Sequence, residues 1–304
     1  MNIKRITALA SFGLLVGVAV FLAVSHNKPQ VASDKLHVTA SFYPLYDFAK
    51  NIGGDKISVS NMTPPGSEPH DFEPAPKDIV QAEKSAVFIY NGGTLEPWAN
   101  KFLGGYNHIA VKASKDVVLQ SGVGEEGQTI KDPHFWLDPV LAQQIVKNIR
   151  DGLIQADPAN KDFYTKNANS YIAKLQKLDT DFTAGLTNCS QNTVIASHEV
   201  FGYLAQRYHF TAEAITGMSP DQEPSSAKMA ELANMAKEKD IKYVFFESLV
   251  SPRLADTIAQ EVGAQAIVFD PLEGLTDEAQ KQGKNYISVQ YENLQNLRTA
   301  LQCR

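Results

Sequence analysis

Cysteine is nearly missing from this sequence, with only Cys189 and Cys303 among 304 residues. That scarcity rules out a disulfide-dense scaffold, and two thiols so far apart make a poor structural zinc site. No Gly-x-x-x-x-Gly-Lys-[Ser/Thr] loop is present, so the chain carries no phosphate cradle for hydrolysing a nucleotide. No His-Glu-x-x-His is present either, which removes the commonest local signature of a hydrolytic zinc helix. An excess of positive charge is lacking: 28 Lys and Arg stand against 34 Asp and Glu, for a net charge of −6. A broad basic surface is therefore excluded, and with it a general affinity for nucleic acid. With 43% hydrophobic and 20% charged residues, the chain is neither disordered, collagenous nor a polytopic membrane protein.

What is present begins with an export signal. Lys4 and Arg5 precede an uncharged apolar run from Ile6 to Val24, and small residues at Ala23 and Ser25 suit cleavage after Ser25. A cleaved signal over residues 1–25 and a periplasmic mature protein are expected, rather than a retained membrane anchor. Cleavage removes two cations and no acid, taking the charge from −6 to −8. No cysteine stands near the cleavage point to accept a lipid. In an oxidising compartment Cys189 and Cys303 can form one bridge, the alternative being two separate buried thiols.

Beyond a polar linker at 26–36, short β-rich runs alternate with helical stretches, the pattern of α/β parallel sheets. Runs at 37–45, 57–65, 86–93 and 108–114 form one set, and runs at 193–200, 211–217, 243–249 and 264–272 form another. Between them, Phe163, Tyr171, Leu175, Leu178, Phe182 and Leu186 recur at helical spacing, after an Asp157-Pro158 start signal. The expected organisation is an N-terminal α/β lobe at 37–157, a connecting helix at 158–187 and a C-terminal α/β lobe at 188–304. A helix of that length, about 40 Å, is a stiffer connection than a Gly/Ser linker.

Seven histidines are present. His26, His37, His108 and His209 stand at boundaries or element ends where a structural role suffices. His70, His134 and His198 differ, because each is expected to project from a loop at the carboxyl end of a sheet, where open α/β folds bind ligands. His70 stands in the proline-rich PPGSEPHDFEPAPKD, His134 in DPHFWLDP and His198 after TVIAS. Asp270 ends the last strand run in AIVFDPLEG. If the two sheets face one another, three imidazoles and a carboxylate converge, a donor set suited to tetrahedral Zn²⁺. Their wide separation along the chain leaves ordinary loop and cap roles open at this point.

Six segments, GSEPHDFEP (66–74), YNGGTLEPW (90–98), DPHFWLDP (132–139), SHEVFGYLAQRY (197–208), FFESLVSPR (245–253) and FDPLEGL (269–275), resemble the solute-binding proteins of zinc and manganese ABC importers. Their order spans nearly the whole exported body. The resemblance implies two α/β lobes joined by a rigid backbone helix, with His70, His134, His198 and Asp270 as metal ligands. It also implies a monomer that hands its metal to a membrane permease driven by a separate ATPase. The third ligand place is often Glu in manganese-type members; the nitrogen of His198 favours Zn²⁺ over Mn²⁺. The segment SGVGEEGQTIKD (121–132) has Glu125 and Glu126 but lacks the histidines of the zinc-collecting loop found in many relatives. Glu247 is expected to brace the site with Arg253, Glu68 to be a solvated carboxylate, and Asn91 with Gly92 and Gly93 to build a turn. A zinc hydrolase with Asp270 as base and a surface adhesin are the rival readings.

Overall fold

The computed structural model describes residues 35–123 and 128–304; the signal segment, His26, most of the linker, Glu125 and Glu126 lie outside them. Lys35–Arg304 forms one compact unit. Its first sheet contains β1 (Leu36–Ala40), β2 (Ile57–Asn61), β3 (Val87–Tyr90) and β4 (Ile109–Lys112), in the order β2-β1-β3-β4. All three pairings are parallel. An antiparallel hairpin follows, β5 (Ser121–Val123) with β6 (Thr129–Lys131). The second sheet contains β7 (Thr193–Ala196), β8 (Thr211–Ala214), β9 (Tyr243–Phe246) and β10 (Gln265–Val268), in the order β10-β9-β7-β8, again parallel. Counted from its own first strand, the second sheet repeats the order of the first.

Parallel neighbours require crossovers, and helices provide them. Tyr43–Gly53, Pro76–Glu83 and Ala99–Leu103 connect the first sheet, while Gly202–Tyr208, Ser226–Glu238 and Arg253–Val262 connect the second. The central strands β3 and β7 carry the apolar runs that burial on both faces favours: Val87, Phe88 and Ile89 are fully buried, as are Val194 and Ile195.

The connecting helix runs Lys161–Gly185, 25 residues or about 38 Å. Its start is three residues later than the proline signal indicates, because Pro158–Asn160 forms a 3-10 turn. There the Asp157 carboxylate accepts from Asn160 Nδ2 at 2.6 Å and Tyr164 Oη at 2.7 Å. The buried face is Tyr164, Ala168, Tyr171, Leu175, Leu178 and Phe182, so Tyr164 rather than Phe163 leads the stripe. One end of the helix grips the first lobe, with Asn167 Nδ2 donating to Ile52 O at 3.0 Å and Tyr171 Oη to Asp47 Oδ2 at 2.9 Å. The other grips the second lobe, where Asp179 and Asp181 accept from Tyr208 and Tyr291 at 3.0 and 2.7 Å.

A single apolar cluster runs through both lobes, from Val38, Phe48 and Ile89 through Leu175 to Phe201, Phe245 and Leu297. The final helix, Tyr286–Ala300, adds to this continuity: Tyr286 Oη donates to Trp136 O at 2.6 Å and Gln290 Nε2 to Leu137 O at 3.0 Å. Cys189 and Cys303 are disulfide-bonded. Among the described residues no helix is long and apolar enough to cross a membrane.

Candidate metal centre

The carboxyl ends of the two sheets meet, and the loops leaving them carry the candidate ligands. His70 follows β2, His198 follows β7, and His134 precedes a 3-10 turn at Phe135–Leu137 after the hairpin. Asp138 then caps the helix Pro139–Ala156, accepting from Val140 N at 2.8 Å and Leu141 N at 3.3 Å, which fixes where the His134 segment ends. The structure brings His70, His134 and His198 together, and the fourth member is Glu273. His134, His198 and Glu273 have no exposed surface.

Asp270, the carboxylate expected from the sequence, is not in the cluster, and this corrects the sequence reading. Its Oδ1 accepts from Leu272 N at 2.7 Å and its Oδ2 from Ser248 Oγ at 2.7 Å. An Asp that bonds the amide two residues on is shaping its own turn. Leu272 is held at φ 60°, and the chain then turns Glu273 inward. Asn293 grips Asp270 at both backbone atoms, accepting from its N at 2.9 Å and donating to its O at 2.7 Å. Gly274 permits the close packing that follows, since a Cβ there would meet Leu249 Cδ1 at 3.1 Å and Ser67 O at 3.4 Å. The Asp-Pro-x-Glu-Gly spelling was the available signal: an Asp before Pro favours a turn, leaving the Glu free.

Five of the six distances among the ligand atoms are 3.1 to 3.4 Å. His134 Nε2 is 3.1 Å from His70 Nε2 and 3.2 Å from His198 Nε2. Glu273 Oε1 is 3.3 Å from His70, 3.3 Å from His134 and 3.4 Å from His198. A regular tetrahedron with edges of that size has its centre about 2.0 Å from each corner, the Zn–N and Zn–O distance.

The opposite ring nitrogens explain why lone pairs point at that centre. His134 Nδ1 donates to Asp132 Oδ1 at 2.8 Å, and His198 Nδ1 donates to Glu247 Oε1 at 2.7 Å. These carboxylates accept only, so each fixes the Nδ1–H tautomer and frees Nε2 as a donor to a cation. Glu247 is thus the expected brace, with a different partner: Arg253 lies 3.9 Å from Glu223 instead. Burial acts to lower the His198 imidazole, but the Glu247 and Glu273 charges outweigh it and hold His198 well above the usual range. Burial likewise opposes protonation of His134, and Asp132 with Glu273 overcomes it, leaving His134 raised. His70 is lowered by burial despite Glu273. Burial would raise Glu273, yet the facing imidazoles hold it well below the carboxylate range. Glu68 is not solvated: its Oε1 accepts from His70 N at 3.2 Å, and burial, then the Glu273 charge, pushes its carboxyl up to about 10.

A buried set of three imidazoles and one carboxylate, with edges of this length, can hold a divalent cation. The family described as ZnuA, zinc-uptake complex component A, periplasmic, matches residues 38–300. The chain belongs to that family, the solute-binding proteins of zinc ABC importers. It is 42% identical to the high-affinity zinc uptake system protein ZnuA of Bacillus subtilis, over 95% of this chain and 97% of that one. It is 39% identical to the zinc-binding lipoprotein AdcA of Streptococcus pneumoniae, over 92% of this chain but only 58% of that longer protein. The crystal structure of the Zn(II)-bound ZnuA-like domain of that AdcA superposes with a TM-score of 0.78 at 39% identity, covering 88% of this chain and 99% of the domain. This zinc-uptake family supplies transport components rather than enzymes. The two-lobed fold with a linking helix, expected from the sequence, is the family's fold.

Proposed function

We propose that the protein captures Zn²⁺ outside the cytoplasm through His70, His134, His198 and Glu273 and delivers it to an ABC permease driven by a separate ATPase. The tetrahedral spacing of the four ligand atoms carries this reading. All four positions around the ion are protein atoms, so no place remains for an activated water, which favours holding a metal over hydrolysis. Three nitrogens and one oxygen suit Zn²⁺ better than Mn²⁺, which prefers oxygen donors. The mature chain acts as a periplasmic monomer in this reading, freed of residues 1–25.

Two ligands come from each lobe, so release requires the lobes' loops to part. The loops are tied directly: Gly66 N donates to Leu275 O at 3.1 Å, and Trp136 Nε1 donates to Pro271 O at 2.8 Å. Permease docking that shifts the His198 and Glu273 loops would remove half the ligands while the long helix keeps the lobes in place.

Metal analysis of the purified protein, followed by competition between Zn²⁺ and Mn²⁺, tests the assignment. One tightly held Zn²⁺ per chain is the expected result; Mn²⁺ displacing Zn²⁺ at equal concentration would refute it. Zinc affinity will also fall with pH. His198 and His134 hold their protons above the ordinary range, so Zn²⁺ must expel them, and the loss begins above pH 6.5 as pH is lowered. Each displaced proton costs about tenfold per pH unit. Chelator competition at pH 8, 7, 6 and 5 should show the decline, and a flat profile would contradict it.

A further inference from the structure

The YNGGTLEPW segment is not used by the ligand set, yet it contains a buried carboxylate, Glu96. Glu96 Oε1 accepts from Asn91 N at 2.8 Å and from the Ser41 hydroxyl, and Oε2 accepts from Gly92 N at 3.1 Å. Burial raises this carboxyl despite those donors. The turn it holds requires glycine at Gly92, where φ is +74° and a Cβ would come within 2.4 Å of Lys112 Cε. A buried carboxylate and a glycine-dependent turn are costly features for a surface connection, which asks what they hold in place.

They hold the approach to His134. Three consecutive carbonyls before that ligand are each taken by a side chain. Thr94 Oγ1 donates to Lys131 O at 3.1 Å, Tyr203 Oη to Asp132 O at 2.8 Å and Asn91 Nδ2 to Pro133 O at 3.0 Å. Asn91 has no exposed surface and Tyr203 only 3%. Tyr203 also accepts from Gln120 N at 3.0 Å, so its hydroxyl is fully engaged. It comes from the second lobe, on the helix Gly202–Tyr208 that follows His198. That helix lies close because residue 202 is Gly: a Cβ there would come within 2.8 Å of Asp132 Oδ2.

We infer that Asn91, held by Glu96, and Tyr203 are positioning residues that clamp the Lys131–Pro133 backbone and so set where His134 meets the metal. Resting on the zinc reading above, this gives the second lobe a hold on a first-lobe ligand. A displacement of the Gly202–Tyr208 helix would then move His134 as well as His198.

Asn91→Ala and Tyr203→Phe test the clamp, since neither residue is a ligand and Tyr203→Phe removes only one oxygen. The full-length protein is loaded with Zn²⁺ or Co²⁺, and three quantities are read: metal dissociation into a chelator, the visible band of the Co²⁺ form, and melting of the metal-free protein. Dissociation about 10- to 100-fold faster, the range for losing an outer hydrogen bond at a metal site, is expected in each variant together with a shifted or weakened Co²⁺ band. An unchanged band at saturating Co²⁺ overturns the inference whatever happens to melting or dissociation, because the imidazole would then be in place without the clamp. Failure of the wild type to bind Zn²⁺ or Co²⁺ would instead sink the functional reading itself.

Discussion

Glu273→Gln will weaken zinc binding by roughly a hundred- to several-thousand-fold, whereas Asp270→Asn will cost about tenfold. The first change keeps the shape of the side chain and removes the one negative charge whose oxygen lies 3.3 to 3.4 Å from all three imidazole nitrogens. Removing one partner of a fully buried ionic set costs about 3 to 5 kcal/mol, and each 1.4 kcal/mol is tenfold in affinity. Asp270 acts one step away. Asparagine can still accept from Leu272 N, so the turn survives with a weaker bond, about 1 to 1.5 kcal/mol poorer. Competition titrations against a zinc chelator give both numbers. Should Asp270→Asn prove the more damaging, the carboxylate assignment would revert to the one expected from the sequence, and the geometry of the Phe269–Leu275 loop would be wrong.

That contrast also marks how far residues can be read without coordinates. The strand runs were legible because buried parallel strands are written as short apolar stretches, and Val87–Tyr90 and Thr193–Ala196 fall inside the runs expected for them. His70 and His198 were legible because each follows or closes such a run, and His134 because its Pro-bounded turn leads into a helix. Choosing between Asp270 and Glu273 demanded the direction of two side chains only three residues apart, and periodicity says nothing about direction in a loop. Tyr164 displaces Phe163 from the buried face for a plain geometric reason: seven positions before Tyr171 complete about two helical turns and return to the same face, whereas eight overshoot it by about 80°. The β5–β6 hairpin went unread because its strands are three residues each, too short for alternation to declare itself. Glu247 braces the site through His198, 49 positions away, and not through the nearby Arg253, because proximity along the chain does not tell which group a loop carboxylate faces.

Loss of the Cys189–Cys303 bridge will be the largest stability effect available outside the core, and it will leave zinc affinity nearly untouched. The bridge closes a loop across 114 positions, and chain entropy assigns a loop of that size about 5 kcal/mol. For a chain of this size, each kcal/mol shifts melting by about 2 to 4 °C, so Cys189→Ser with Cys303→Ser should melt about 10 to 20 °C lower in the metal-free state. Native contacts at the bridge are modest without it: Ser190 N and Gln191 N donate to Gln302 O and Leu301 O at 3.3 and 3.0 Å. These bonds cannot by themselves restrain the unfolded chain. The metal centre escapes because the bridge sits before the amino end of β7 while His198 leaves its carboxyl end, with a four-residue strand of about 13 Å between them. Calorimetry of the metal-free double variant and a zinc titration of the same protein separate the two effects. A large fall in affinity would mean that the tether at the chain end helps hold β7, and through it His198, in register with the first lobe.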